Sequence, residues 1–100
     1  MWLIAIFDLP VKTKVQRKDA SDYRKLLLDK GFQMAQLSVY FKYCHDKEQA
    51  DVVTRDISKV VPKGGRVDVI AITDRQYAGI VTIRDSARVR RENPSQLALF

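Results

Sequence analysis

Few side chains in this 100-residue chain can do covalent or metal chemistry, and their spacing narrows what they can do. Cys44 and His45 are its single cysteine and single histidine, side by side. Such a pair cannot assemble a nucleophile, a base and an orienting group, and with no CxxC partner it makes no zinc site. Cys44 is most simply a small core residue. The remaining candidate is Asp8, which follows the apolar run Trp2 to Phe7 and precedes Leu9-Pro10. A carboxylate at the mouth of a buried strand is either a turn-former capping the next backbone groups or a ligand on a rigid stalk. One carboxylate is too little for Mg²⁺ unless water, backbone oxygen or a second chain completes the octahedron. A twofold dimer would bring up a second Asp8. The pair could hold Mg²⁺ and activate a water for phosphodiester attack, or stay apart and do nothing.

The second chemistry on offer is charge. Eighteen Lys and Arg against twelve Asp and Glu give a net charge of +6 and a pI near 9.7, so polyanions are the natural partners. The charges cluster. Lys12, Lys14, Arg17, Lys18, Arg24 and Lys25 fall within one stretch beside only Asp19 and Asp22, and Arg84, Arg88, Arg90 and Arg91 within another. Such runs suit phosphates, although a solvated helix face has the same composition.

The elements that must position these residues follow from periodicity. Trp2 to Phe7 predicts a central strand buried on both faces. Ala20, Tyr23 and Leu27 recur at helical spacing, predicting a helix that starts between Thr13 and Asp19 and stops at Gly31. Phe32 and Met34 suggest a short strand. Leu37, Val39, Phe41 and Tyr43 then alternate with Ser38, Tyr40 and Lys42, the period of a strand, with Tyr40 expected half-buried. Asp46 is an N-cap with Gln49 completing a capping box, ahead of a helical face of Ala50, Val53, Ile57, Val60 and Val61 that Pro62 and Gly64-Gly65 end. Residues 66–73 predict a second well-buried strand. Asp74-Arg75 then predicts a turn, and Tyr77 to Ile83 a further strand with Gly79 as a possible bulge.

The order is that of the α+β ferredoxin-like βαββαβ fold, with one extra C-terminal strand that has no place in the monomer and is expected to pair with a second copy in a homodimer. The domain is expected to occupy 1–84 and a basic tail 85–100, in which Asn93-Pro94-Ser95 is a hinge and Leu97, Leu99 and Phe100 dock on a partner. No run is long enough to span a bilayer and no signal peptide is present, which predicts a cytoplasmic protein without membrane partners. A Gly-rich phosphate loop is missing, as are the aromatic motifs by which RNA-recognition domains of this topology read RNA on their sheet.

Three motifs, FDLP at 7–10, YRKLLLDKGF at 23–32 and MAQLSVY at 34–40, together resemble the small CRISPR adaptation protein family. Its members are partners of the CRISPR integrase and are also described as CRISPR-associated endoribonucleases. The branch most similar accompanies the RNA-guided single-effector systems. The resemblance spans the whole chain. It implies a ferredoxin-like homodimer that bridges integrase dimers, with a duplex DNA prespacer across its basic surface. The extra strand and tail would then pair with the sister subunit or the integrase. On that basis Lys12, Lys14, Arg17, Lys18, Arg75, Arg88, Arg90 and Arg91 are expected to contact phosphates, without base readout. Asp8 falls on the family's metal-binding aspartate, which implies a catalytic role and Mg²⁺. Phe7 stands where many members carry Tyr, and Asp22 and Met34 stand where nuclease members often carry Arg. Those departures weigh against autonomous cleavage and towards a scaffold.

Overall fold

The N-terminal apolar run forms β1 (Trp2–Asp8), an inner strand of a four-stranded antiparallel sheet seen in a computed structural model that describes residues 1–85 and the backbone of 88–89. The other strands are β2 (Gln33–Gln36), β3 (Val39–Tyr43) and β4 (Arg66–Ile72), in the order β2-β3-β1-β4. Helices α1 (Lys14–Asp29) and α2 (Lys47–Ser58) supply the crossovers. This is the ferredoxin-like βαββαβ arrangement.

Each helix is started and stopped by its own sequence. Thr13 caps α1 in a capping box with Gln16, whose side chain returns to the Thr13 N–H. Its C-terminus closes as a Schellman motif: the Phe32 N–H bonds the Leu27 carbonyl at 2.9 Å and the Gly31 N–H bonds that of Leu28 at 3.0 Å. Gly31 takes φ 96° there, a conformation that side-chain-bearing residues adopt only with strain. At α2, Asp46 accepts from the Gln49 N–H as expected, but the Gln49 side chain bonds the N–H of His45, one residue before the cap.

One face of the sheet carries the main core. Leu3, Ala5 and Phe7 of β1 and Tyr40 of β3 pack with Ala20, Tyr23 and Leu27 of α1 and Ala50, Val53 and Ile57 of α2. Tyr40, expected half-buried, is fully buried, because the alternation of β3 turns it under the helices and leaves the apolar set Val39, Phe41 and Tyr43 on the opposite face. The Tyr23 hydroxyl donates to the Ile57 carbonyl at 2.9 Å and so ties α1 to α2. Burial pushes its pKa up to about 12.

The opposite face is covered at one end only. Residues 74–81 are not the turn and strand that the sequence suggested, and of the strand expected over 77–83 only Thr82–Ile83 is extended. Thr73 caps a one-turn helix, α3 (Asp74–Ala78), again in a capping box, here with Gln76. Gly79 is its C-cap at φ −83° rather than a bulge. The Met1 ammonium holds α3 through Asp74 at 2.8 Å. Tyr77 of α3 covers Trp2 and Phe41, forming a second, smaller core. The extra C-terminal strand, expected to pair with a second copy, pairs within the chain instead: β5 (Thr82–Ile83) and β6 (Arg88–Val89) form a separate two-stranded sheet.

Away from α3 no described element packs on this face. Ile6 and Ile70 are 40% and 43% exposed, so β1 is not buried on both sides within the chain. Nor is β4 the well-buried strand expected, since on the helix-covered face only Val67 and Val69 pack against the core and Ala71, opposite Leu3, stays exposed.

Candidate functional site

The open face ends in charge. In the antiparallel register Ile4 opposes Ile70, Ile6 opposes Asp68, and Asp8 opposes Arg66. Directly opposed residues share a face, so Asp8, Asp68 and Arg66 lie together where the apolar band stops. All three are exposed. The Arg66 guanidinium grips Asp68 along its Nε edge, with Nε–Oδ1 at 3.3 Å and Nη2–Oδ2 at 3.2 Å. Asp8 makes no ion pair among the described residues. Arg66 and Asp68 escaped the sequence-based search, although R-V-D-V is a period-two pattern that puts both charges on one face of a strand.

Among the described residues no group of three or more His, Cys, Asp or Glu side chains is placed to hold a metal ion. Asp8 offers one carboxylate, and its ladder partner is a guanidinium, which has no electron pair to donate to a metal. Of the neighbouring carboxylates Asp68 is already taken up by Arg66, so Mg²⁺ held at Asp8 would keep most of its shell as water or take a second chain's carboxylate.

Of the basic residues expected to meet phosphates, Lys12, Lys14, Arg17, Lys18 and Arg75 are all exposed, but they are not equivalent. Arg17 Nη1 donates to the carbonyls of Val11 at 3.4 Å and Lys12 at 3.2 Å, fastening the loop that follows β1. Lys18 bonds Asp22 at 2.8 Å, and that hydrogen bond and charge raise its pKa and lower that of Asp22. Lys14 has no ion pair among the described residues, and Lys25 is exposed one helical face with it. At 3.6 residues per turn Lys14, Lys18 and Lys25 fall on the side of α1 opposite Ala20, Tyr23 and Leu27. Arg75 lies apart from them, on α3. The side chain of Arg88 and residues Arg90, Arg91, Leu97, Leu99 and Phe100 lie outside the described residues. Cys44 is fully buried, and burial pushes its thiol pKa up.

These features define a small, basic ferredoxin-like domain with one sheet face left open and a carboxylate at its rim. Residues 1–80 match the family described as CRISPR associated protein Cas2, and the chain belongs to that family of CRISPR adaptation proteins. It is 43% identical over 101 residues to the "CRISPR-associated endoribonuclease Cas2" of Parvibaculum lavamentivorans, covering 100% of both chains. It is 41% identical over 101 residues to the protein of the same name from Paracidovorax avenae, covering 100% of this chain and 94% of that one. The fold is similar to the crystal structure of Streptococcus pyogenes Cas2 at pH 6.5, with a TM-score of 0.64 and 21% identity over 84% of this chain and 100% of that one.

Proposed function

We propose that this protein is a dimeric scaffold for spacer acquisition in the cytoplasm, binding duplex prespacer DNA without sequence preference and bridging integrase dimers. The observation that carries this reading is the outward lysine face of α1, where Lys14, Lys18 and Lys25 are exposed on one side of a rigid helix and only Lys18 is ion-paired, with Asp22, among the described residues. Phosphate capture needs charge in register with a backbone, not base-reading side chains. The exposed Ile6 and Ile70 support a twofold contact, because burying them removes apolar surface from water. The tail 85–100, with Arg88, Arg90 and Arg91 ahead of Leu97, Leu99 and Phe100, would dock on the sister subunit or the integrase.

Duplex DNA titrated into the complex with integrase tests this. Combined Lys14→Glu and Lys25→Glu is expected to weaken binding at least about tenfold and to flatten the dependence on salt. Unchanged affinity and salt slope would sink the scaffold reading.

A second reading, a metal-dependent nuclease, is favoured by the exposure of Asp8 on the open face and by the endoribonuclease name its relatives carry. There the metal would need Asp8 from two chains. Asp8→Ala separates the readings: spacer acquisition retained by a folded dimer supports the scaffold, and loss of Mg²⁺-dependent cleavage supports the nuclease.

A further inference from the structure

The geometry points to Arg66 as the residue that engages a nucleic-acid phosphodiester beside Asp8, with Asp68 as the positioning residue that orients it. The inference rests on the nuclease reading of the Asp8 face and extends it to a group on a different strand.

Three observations carry it. Arg66 is the direct ladder partner of Asp8, which places the two Cβ atoms on the order of 5 Å apart on the same face. Yet among the described residues the guanidinium forms no ion pair with Asp8. It is held side-on by Asp68 through Nε and Nη2. Of the five N–H donors of a guanidinium, this grip uses two along one edge, so the Nη1 end stays available as a fork. Arg66 is also 78% exposed along its side chain, so a phosphate reaches it without displacing core. A phosphodiester seated on that fork would share the sheet face on which Asp8 stands, one strand across from Arg66, the shared face that a cleavage site requires.

A simple surface ion pair would look similar in a static structure, and such pairs contribute little to stability. The two roles differ in sign. If Arg66 and Asp68 were merely part of the surface field, removing the negative charge of Asp68 would strengthen binding of a polyanion. If Asp68 orients the fork, the same change weakens binding.

Fluorescence anisotropy with a short labelled single-stranded oligoribonucleotide in EDTA reads this without turnover, using the full-length chain. Arg66→Ala is expected to weaken binding about tenfold, the scale of a lost charge-assisted bidentate contact. Arg66→Lys keeps the charge but not the fork and leaves most of that loss in place. Asp68→Asn is expected to weaken binding about threefold despite raising the net charge. Thermal melting and elution volume check that each variant keeps its fold and assembly. Binding by the unaltered protein together with tighter or equal binding by Asp68→Asn, or no effect of Arg66→Ala, overturns the assignment alone. Failure of the unaltered protein to bind the oligoribonucleotide overturns the nuclease reading and this inference with it.

Discussion

The ring of Tyr77 lies flat on that of Trp2, with centroids 3.6 Å apart and planes within 5°. This contact joins a one-turn helix to the first residue of β1. A helix of five residues has no stability of its own, since nucleation costs more than one turn returns. Its position depends on Tyr77, on the capping box of Thr73 and Gln76, and on the Met1 ammonium at Asp74.

Tyr77→Ala should therefore lower the unfolding free energy by about 3 kcal/mol or more, the range for deleting a buried aromatic ring. Tyr77→Phe keeps the stacked ring and should cost less. Urea denaturation of both variants measures the difference, and equal losses would show that the stacked ring is not what holds α3.

Tyr23 should give the fold a dependence on alkaline pH. Its buried neutral hydroxyl bonds the Ile57 carbonyl, and its pKa stands at about 12 against about 10 for an exposed phenol. A raised pKa means that the contribution is complete below pH ~10 and is lost as pH rises through the folded value near 12. At neutral pH Tyr23→Phe should cost about 1 kcal/mol for the missing hydrogen bond. The gap between the two proteins should close between about pH 10 and pH 12. A gap that stays constant across that window would contradict the assignment of the alkaline effect to Tyr23.

Most of the fold was legible because its signals are local. The period of Ala20, Tyr23 and Leu27 marks α1, Gly31 marks its stop, and the run at 2–7 marks β1. The misplacement of α3 has an equally local cause. Residues 77–83 are apolar enough for a strand, which masks Thr73-x-x-Gln76, a helix-start signature of the same kind as that marked at Asp46 and Gln49. The exposure of β4 was not legible, because an apolar strand is written alike whether its second face meets a helix, a second copy or water. The candidate site shows the same limit. Asp8 stands out in the chain, but Arg66 becomes its neighbour only once the register pairs residues far apart in sequence. The lysines of α1 were visible as a cluster, while the use of Arg17 in fastening its own loop was not.

Cys44 should resist thiol reagents in the native protein. It is fully buried and its thiol pKa is raised, so both access and the thiolate fraction oppose reaction. A colorimetric disulfide reagent should label it at the rate of unfolding, and labelling should accelerate in urea along with loss of the circular dichroism signal. Rapid stoichiometric labelling of the native protein would contradict this placement.

Ile6 offers the sharpest test of assembly. It stands 40% exposed on the open face, one ladder step from the opposed pair Ile4 and Ile70. A charge placed there costs the lone chain little, because the side chain already meets water. At the centre of a twofold contact the same change would bury two like charges against each other. Ile6→Glu is therefore expected to shift the protein from dimer to monomer in sedimentation and to abolish the dependence of its urea midpoint on protein concentration. Val15 on α1 supplies the control, being 69% exposed on a helix that packs on the other side of the sheet. Val15→Glu should leave the assembly intact. A dimer that survives Ile6→Glu as well as Val15→Glu would place the twofold contact on another surface.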